Sequence, residues 1–424
     1  MNPRRLPGPI QGLRGEVEVP SSKSLTNRAL VVAAAAGGGR IHRPLDCEDT
    51  RLLAGALEKA GWKVTWGNGI VIGGRRQVER AEVDLGNSGT GSRLILGLLA
   101  CVPGRFRVDG TPRLRQRPMR PLLEALETLG SDVTSKDGFL PVDVRGRQIE
   151  GGSLGIRPEV SSQFVSSLLL AAPLMEKGLE LEVLGPLPSK PYIELTREVL
   201  EIFGASVVHD GLVRWRVAAG GLRPTAFDVE GDWSAVAFAA AAVAVAGGSV
   251  SVRPLSAKSS QGDRAVCEIL ERAGLEVRFP GDEVVFTGAM TRAFEADLTA
   301  TPDLFPALSV VAAAGPSGSV LRGLDHLKHK ESDRLAVMVE NLGSLGAVFE
   351  VSGTSVRVER AIERNRECGT AVTAADDHRI AMAMAVAALA AGPLELDDDR
   401  CVGKSFPGFW PMWEELIENG TRIP

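Results

Sequence analysis

Lysine, arginine and hydroxyl side chains are bunched in a few short stretches of this 424-residue chain. They are "SSKSLTNR" from Ser21, "RLRQRPMR" from Arg113, "HLKHKESDR" from His326, "DDHR" from Asp376 and "VGKSFPG" from Val402. One lysine or arginine alone reads as a solvated surface group. Together these stretches hold enough cation for a substrate bearing both phosphate and carboxylate. A charge-assisted hydrogen bond contributes about 1.5–3 kcal/mol, so four or five would hold a small dianion tightly.

Other chemistries find less support. "GNSGTGSR" from Gly86 resembles a phosphate loop but lacks the lysine of G-x-x-x-x-G-K-[ST], because Ser92 follows Gly91 directly. Its glycines still let backbone N–H groups approach an anion closely. No G-x-G-x-x-G opens a helix after a strand, which leaves nucleotide binding without a motif. His326 and His329 stand beside Lys328 and Lys330, a poor neighbourhood for a dication, and no metal site is expected. A Ser-His-Asp constellation cannot be assembled from spacing alone.

The elements that must position these groups repeat. A polar or acidic cluster follows a turn and leads into an alanine- and leucine-rich helix. The instances are "SSKSLTNRALVVAAAAGG", "GNSGTGSRLILGLLA", "EVSSQFVSSLLLAAPL", "EGDWSAVAFAAAAVAVAGG", "TPDLFPALSVVAAAG" and "ADDHRIAMAMAVAALAAG". Anchored on Lys23, Ser88, Ser161, Asp232, Asp303 and Asp377, they recur about every 65 to 74 residues, a sixfold repeat. Alternating runs such as "RFRVDG", "LELEVLG" and "SVRVER" predict strands, and second helices such as "MRPLLEALETLG" and "GDRAVCEILERAG" are amphipathic and stop at glycine. Helices apolar on every side must be surrounded. The sequence therefore predicts an α/β (α+β) chain of two domains. Each has three inner helices enclosed by sheets and outer helices.

An inner helix presents free N–H groups and about half a positive charge at its N-terminus. Ser24, Thr26, Ser88, Ser161, Asp232 and Asp377 are expected caps. Capping does not explain Lys23 and Arg28, since cations are unfavourable there unless an anion lies between. Several such ends aimed at one cleft would make an anion trap.

Composition sets outer limits. Hydrophobic content of 44%, charged content of 24% and a formal charge of −5 describe an ordinary globular chain and argue against a nucleic-acid or anionic-membrane partner. Five scattered cysteines (Cys47, Cys101, Cys267, Cys368, Cys401) predict reduced thiols. "MNPRRLPGPIQG" does not read as a signal peptide, and the apolar run from Ala235 falls short of the ~20 residues that span a bilayer. A cytoplasmic location is expected.

The motifs "PSSKSLTNR", "LGNSGTGSR", "QRPM", "SSQF", "SKPYI", "KESDRL", "DDHRIAMA" and "GKSFPGFW" occur in the order and spacing of one family. Over nearly its whole length the chain resembles the 5-enolpyruvylshikimate-3-phosphate synthases. The resemblance implies an inverse αβ-barrel type fold, with residues 1–20 plus 232–424 as one domain and 21–231 as the other. It places the active site in the cleft between them. It also implies transfer of enolpyruvyl from phosphoenolpyruvate to the 5-hydroxyl of shikimate 3-phosphate, releasing phosphate through a tetrahedral intermediate, in the shikimate pathway of aromatic amino acid biosynthesis. A monomer without cofactor or metal is expected.

Carried over motif by motif, Lys23 would contact both substrates and assist the bridging phosphate oxygen. Ser24, Arg28, Ser161, Ser162, Gln163, Ser189, Tyr192 and Lys330 would hold shikimate 3-phosphate, with Arg28 on its carboxylate. Asp303 would take the 5-hydroxyl proton and Glu331 would exchange a proton with C3. Asn87, Gly89, Thr90, Arg117, Gln163, Arg334, Arg379 and Lys404 would bind phosphoenolpyruvate, with His378 a neighbour of Arg379. Gly89 leaves room that implies glyphosate sensitivity. The chain departs from some members at His326, where they carry Asn, and at Leu94, where plant and enteric members carry Pro.

The alternative is the sister enolpyruvyl transferase acting on UDP-N-acetylglucosamine. It carries a catalytic cysteine on the loop matching Gly110–Pro118, where this chain has none. An RNA 3′-phosphate cyclase is opposed by the acidic balance. A non-catalytic anion binder is opposed by the presence of Asp303 and Glu331.

Overall fold

Six helices are too apolar to show any side to water. They are α1 (Lys23–Ala35), α2 (Gly89–Ala100), α3 (Gln163–Ala171), α4 (Trp233–Ala246), α5 (Phe305–Ala314) and α6 (His378–Ala391). All 14 residues of α4 and all 14 of α6 are buried. This computed structural model describes residues 3–365 and 369–422, so Cys368 lies outside the described residues.

Around each inner helix the chain repeats one plan. In the second repeat, strand β1 (Arg80–Asp84) leads through α2 to strand β2 (Gly104–Asp109), parallel to β1. An outer helix, Arg120–Thr128, then leads to the hairpin of β3 (Asp132–Lys136) and β4 (Phe139–Gly146). The sheet order is β1-β2-β4-β3, with β4 antiparallel to β2. The next repeat, with strands Gly152–Ile156, Leu179–Val183, Val207–Asp210 and Arg214–Val217, has the same order.

Two repeats borrow their first strand from elsewhere in the chain. Thr225–Asp228 pairs in parallel with Gly39–His42, and Leu13–Glu18 pairs in parallel with Gly248–Arg253. The chain divides into two units, Met1–Pro20 with Gly231–Pro424, and Ser21–Glu230, each holding three inner helices and its own apolar core.

Turn chemistry follows from the sequence. The glycines after five outer helices, Gly61, Gly130, Gly204, Gly274 and Gly346, all take positive φ, which unwinds the helix at little steric cost. Capping differs in detail from expectation. Ser22, rather than Ser24 or Thr26, accepts from the Leu25 N–H, while Thr26 inside α1 donates to the Ser22 carbonyl at 2.8 Å. Ser88, Asp232 and Asp377 do cap α2, α4 and α6.

Among the described residues no helix is long and apolar enough to cross a membrane. Cys47, Cys101, Cys267 and Cys401 are free and buried.

The inner helices touch through small residues. The Gly97 N–H of α2 donates to Ser167 Oγ of α3 at 3.2 Å, and Ser167 Oγ donates to the Arg93 carbonyl at 2.6 Å. A Cβ at Gly97 would lie 2.6 Å from the Ser167 carbonyl oxygen, a backbone atom that cannot swing away. We expect Gly97→Ala to destabilise the second unit by about 1–3 kcal/mol, seen as a lower denaturation midpoint. An unchanged midpoint would mean that α2 and α3 are not in this contact.

Candidate active site

In the unit Ser21–Glu230, functional groups gather at the starts of α1, α2 and α3. Lys23 opens α1, and its Nζ lies 3.0 Å from Asp49 Oδ2, a carboxylate almost wholly buried. Arg28, one turn on, is also buried. Its Nε donates to Thr196 Oγ1 (2.8 Å), its Nη1 to the Ser24 carbonyl (2.9 Å) and its Nη2 to the Tyr192 carbonyl (2.8 Å). Burial pulls the Arg28 guanidinium down to about 10, with Tyr192 opposing, and it remains cationic at neutral pH. Its guanidinium carbon lies 5.8 Å from the centre of the Tyr192 ring.

A second network joins α2 to α3. Arg93 Nη1 donates to Gln163 Oε1 at 2.8 Å and to Ser161 Oγ at 3.3 Å, and Gln163 Nε2 donates to Thr90 Oγ1 at 2.8 Å. Ser161, Gln163 and Thr90 thus belong to one hydrogen-bonded set. Arg117 lies against Gly89, where a Cβ would come 2.4 Å from its guanidinium carbon. Asn87 and Ser162 are buried beside the helix starts. Ser189 precedes the helix Pro191–Ile202 with φ of 55°, a sparsely populated region for a residue with a side chain.

In the other unit Asp303, Lys330, Glu331, Arg334 and Arg379 form one cluster. Asp303 Oδ1 lies 2.7 Å from Arg334 Nη1 and 3.6 Å from Lys330 Nζ, and its Oδ2 lies 3.1 Å from Arg379 Nη2. Arg334 also donates to Glu331 Oε2 and, through Nε, to Asp377 Oδ2, both at 2.8 Å. Its side chain is 1% exposed. Burial alone would lower the Arg334 guanidinium, yet Asp377, Glu331 and Asp303 raise it above its ordinary value. Burial alone would raise Asp303. Arg379, Lys330 and Arg334 outweigh it and hold the carboxyl well below the usual range.

Lys404 ends a short turn, Arg400–Lys404, packed on α6. It is 3% exposed, and no hydrogen bond or ion pair reaches its ammonium among the described residues. His326 is neutral, since burial and then Lys330 push it down to about 4. His378 Nδ1 lies 3.9 Å from Asp377 Oδ1. Among the described residues no group of three His, Cys, Asp or Glu side chains could hold a metal ion.

Sequence reasoning passed over several of these partners. Asp49 begins an outer helix and carries no local sign that it meets Lys23. Arg93 stands in a quoted motif without an assigned role. Asp377 was read only as a cap, although it also receives Arg334 and Ser332. Asp263 follows an unremarkable "SSQG" and receives the Ser234 hydroxyl.

Comparison with known proteins identifies the family and the fold. The family model described as EPSP synthase (3-phosphoshikimate 1-carboxyvinyltransferase) matches residues 7–413. The chain belongs to the EPSP synthase family. Relatives named 3-phosphoshikimate 1-carboxyvinyltransferase include one from Syntrophobacter fumaroxidans, 40% identical over 96% of this chain and 98% of that protein. Another, from Methanoculleus marisnigri, is 40% identical over 92% of this chain and 94% of that one. An EPSP synthase structure from Acinetobacter baumannii superposes with a TM-score of 0.78 at 27% identity, covering 99% and 98% of the two chains. The enolpyruvyl transferase NikO from Streptomyces tendae, at 19% identity and a TM-score of 0.79 over 99% of each chain, shares the fold. Two units of three repeats are the inverse-barrel architecture of these EPSP synthases.

One buried acid gives the site region a pH signature. Burial, with the Asp303 charge adding and Arg379 opposing, pushes the Asp263 carboxyl up to about 7. The folded chain therefore keeps a proton that the unfolded chain loses near pH 4. Stability falls as pH rises through that window, and the loss is complete above about 7. Asn stays neutral throughout. Relative to wild type, Asp263→Asn should gain stability from pH 4 to 8, on the order of a few kcal/mol, read by thermal unfolding. A pH-independent difference would refute the assignment.

Proposed function

We propose that the cationic clusters of both units act on one pair of substrates, phosphoenolpyruvate and shikimate 3-phosphate. By family, the chain is a 3-phosphoshikimate 1-carboxyvinyltransferase. The reaction moves enolpyruvyl to the 5-hydroxyl of shikimate 3-phosphate and releases phosphate, a step of the shikimate pathway. The observation that carries the residue assignment is Lys404, a lysine only 3% exposed whose ammonium meets no hydrogen-bond or ion-pair partner among the described residues. An anionic ligand would supply that partner.

In the proposed sequence the 5-hydroxyl oxygen bonds to C2 of phosphoenolpyruvate and loses its proton to Asp303. Glu331 delivers a proton to C3, giving the tetrahedral intermediate. Glu331 then takes a proton back from C3 as the C2–O bond to phosphate breaks. Lys23 stabilises the departing bridging oxygen, and the hydroxyl proton leaves with phosphate. Ser24, Arg28, Ser161, Ser162, Gln163, Ser189, Tyr192 and Lys330 serve shikimate 3-phosphate. Asn87, Gly89, Thr90, Arg117, Gln163, Arg334, Arg379 and Lys404 serve phosphoenolpyruvate.

Asp303 is a weak base while three cations surround it. Anionic substrate groups that draw off Arg379 and Lys330 raise its basicity, so base strength is linked to occupancy. The active form is proposed to be a cytoplasmic monomer, and the free thiols support a reducing compartment.

Phosphate release from phosphoenolpyruvate should require shikimate 3-phosphate and fail with UDP-N-acetylglucosamine. The reverse preference would replace this reading with the sister activity. Lys23→Met alone strands the buried Asp49, so the cleaner variant is Lys23→Met with Asp49→Asn. Its turnover should fall by at least about 10²–10³-fold with the melting temperature held, and a near-normal rate would remove Lys23 from the chemistry. Lys404→Met should raise the melting temperature without ligand while weakening phosphoenolpyruvate binding. A less stable variant with unchanged binding would make Lys404 structural.

A further inference from the structure

The outer face of the sheet β1-β2-β4-β3 gathers three of its arginines side by side. Side chains alternate along each strand, with Ala81, Val83, Phe106, Val108, Val142 and Val144 buried beneath. Across the strands Arg80 is paired with Arg105, and Arg105 with Arg145. Three guanidinium groups thus stand side by side in one row. Like charges directly opposite one another destabilise a sheet. The neighbouring row alternates in sign: Glu82, Arg107, Asp143.

The two acids of that neighbouring row are already engaged. Glu82 holds Arg80 at 2.7 Å and Asp143 holds Arg107 at 2.7 Å. Arg105 and Arg145 make no side-chain hydrogen bond or ion pair among the described residues, although Asp132 lies opposite Arg145. The following repeat is an internal control. On its sheet Arg216 faces Glu180 at 2.8 Å and Arg214 faces Glu182 at 3.2 Å, so every cross-strand arginine there meets an acid.

The row borders a hollow of about 500 Å³ floored by Phe106 and Val144, where four arginines outnumber the two acids Asp132 and Asp143 and Thr134 offers a hydroxyl. Strands lie ~4.8 Å apart, so the row is roughly 10 Å long at the backbone, more than a single phosphate needs. Guanidinium forks match phosphate oxygens in pairs.

We propose that this face is an anion-binding site for a small ligand carrying two or more phosphate groups. None of its residues belongs to the clusters assigned to carboxyvinyl transfer. The ligand gives Arg105 and Arg145 the oxygen partners that they do not find within the sheet, and these two side chains are its main donors.

The test is calorimetric titration of inorganic pyrophosphate at low ionic strength, where surface charges are least screened. Three proteins are compared: wild type, Arg105→Gln with Arg145→Gln, and Arg214→Gln with Arg216→Gln. Pyrophosphate taken up by the catalytic clusters is common to all three. Wild type and the Arg214/Arg216 variant should bind one more pyrophosphate than the Arg105/Arg145 variant, or bind it at least about tenfold more tightly. The Arg105/Arg145 variant should melt higher than wild type without ligand and keep full carboxyvinyl transfer. Equal binding by wild type and that variant overturns the site. Equal loss in both variants overturns it as well, because bulk charge then explains the effect.

Discussion

Everything in this chain depends on how a helix with no polar side can be kept away from water. Six of its helices are apolar almost all round, and most of the polar features they have left lie at their ends. Sheets and outer amphipathic helices close over the sides, which leaves each N-terminus as the place where backbone donors must find partners. Ser22, Ser88, Asp232 and Asp377 satisfy some of those donors. Much of the remaining polar density near the same ends is cationic or hydroxylic, which suits an anion.

The cluster around Arg334 shows what such a site costs at rest. One buried guanidinium is bonded to Asp303, Glu331 and Asp377, so the protein supplies its own counter-ions. That arrangement keeps the charges from being stranded, and it also holds Asp303 too acidic to be an effective base. Stability and reactivity compete for the same carboxylate. The competition is resolved only when another anion takes over the cations.

The repeat and the inner helices were legible because both depend on local pattern: apolar runs, glycine stops and near-equal spacing. The glycine after each outer helix could be read as a stop because positive φ is a property of that one residue. Pairings across the fold were not legible. Lys23 meets Asp49 through the packing of two helices, and Gln163 is oriented by Arg93 from another repeat. The borrowed strands Leu13–Glu18 and Thr225–Asp228 look like any alternating run, and nothing in their sequence names the repeat they complete. Ser22 was missed as the cap of α1 because Ser24 and Thr26 offer equally good hydroxyls, and only the backbone angle at Ser22 decides between them. The resemblance supplied roles for residues that pattern alone would have left as surface charge.

Charge balance then separates the residues by type. Lys23 and Arg334 have carboxylate partners inside their own units, whereas Arg28 is bonded only to neutral oxygens. Arg28 keeps its charge at neutral pH despite burial, and its nearest donors are fixed by Ser24, Tyr192 and Thr196. A cation held this rigidly changes little when a ligand arrives, so it attracts an anion without moving to meet it. Lys330 and Arg379, shared with Asp303, must let go of that carboxylate before they can engage a substrate. The fixed cations therefore set affinity, and the shared ones set when the base becomes competent.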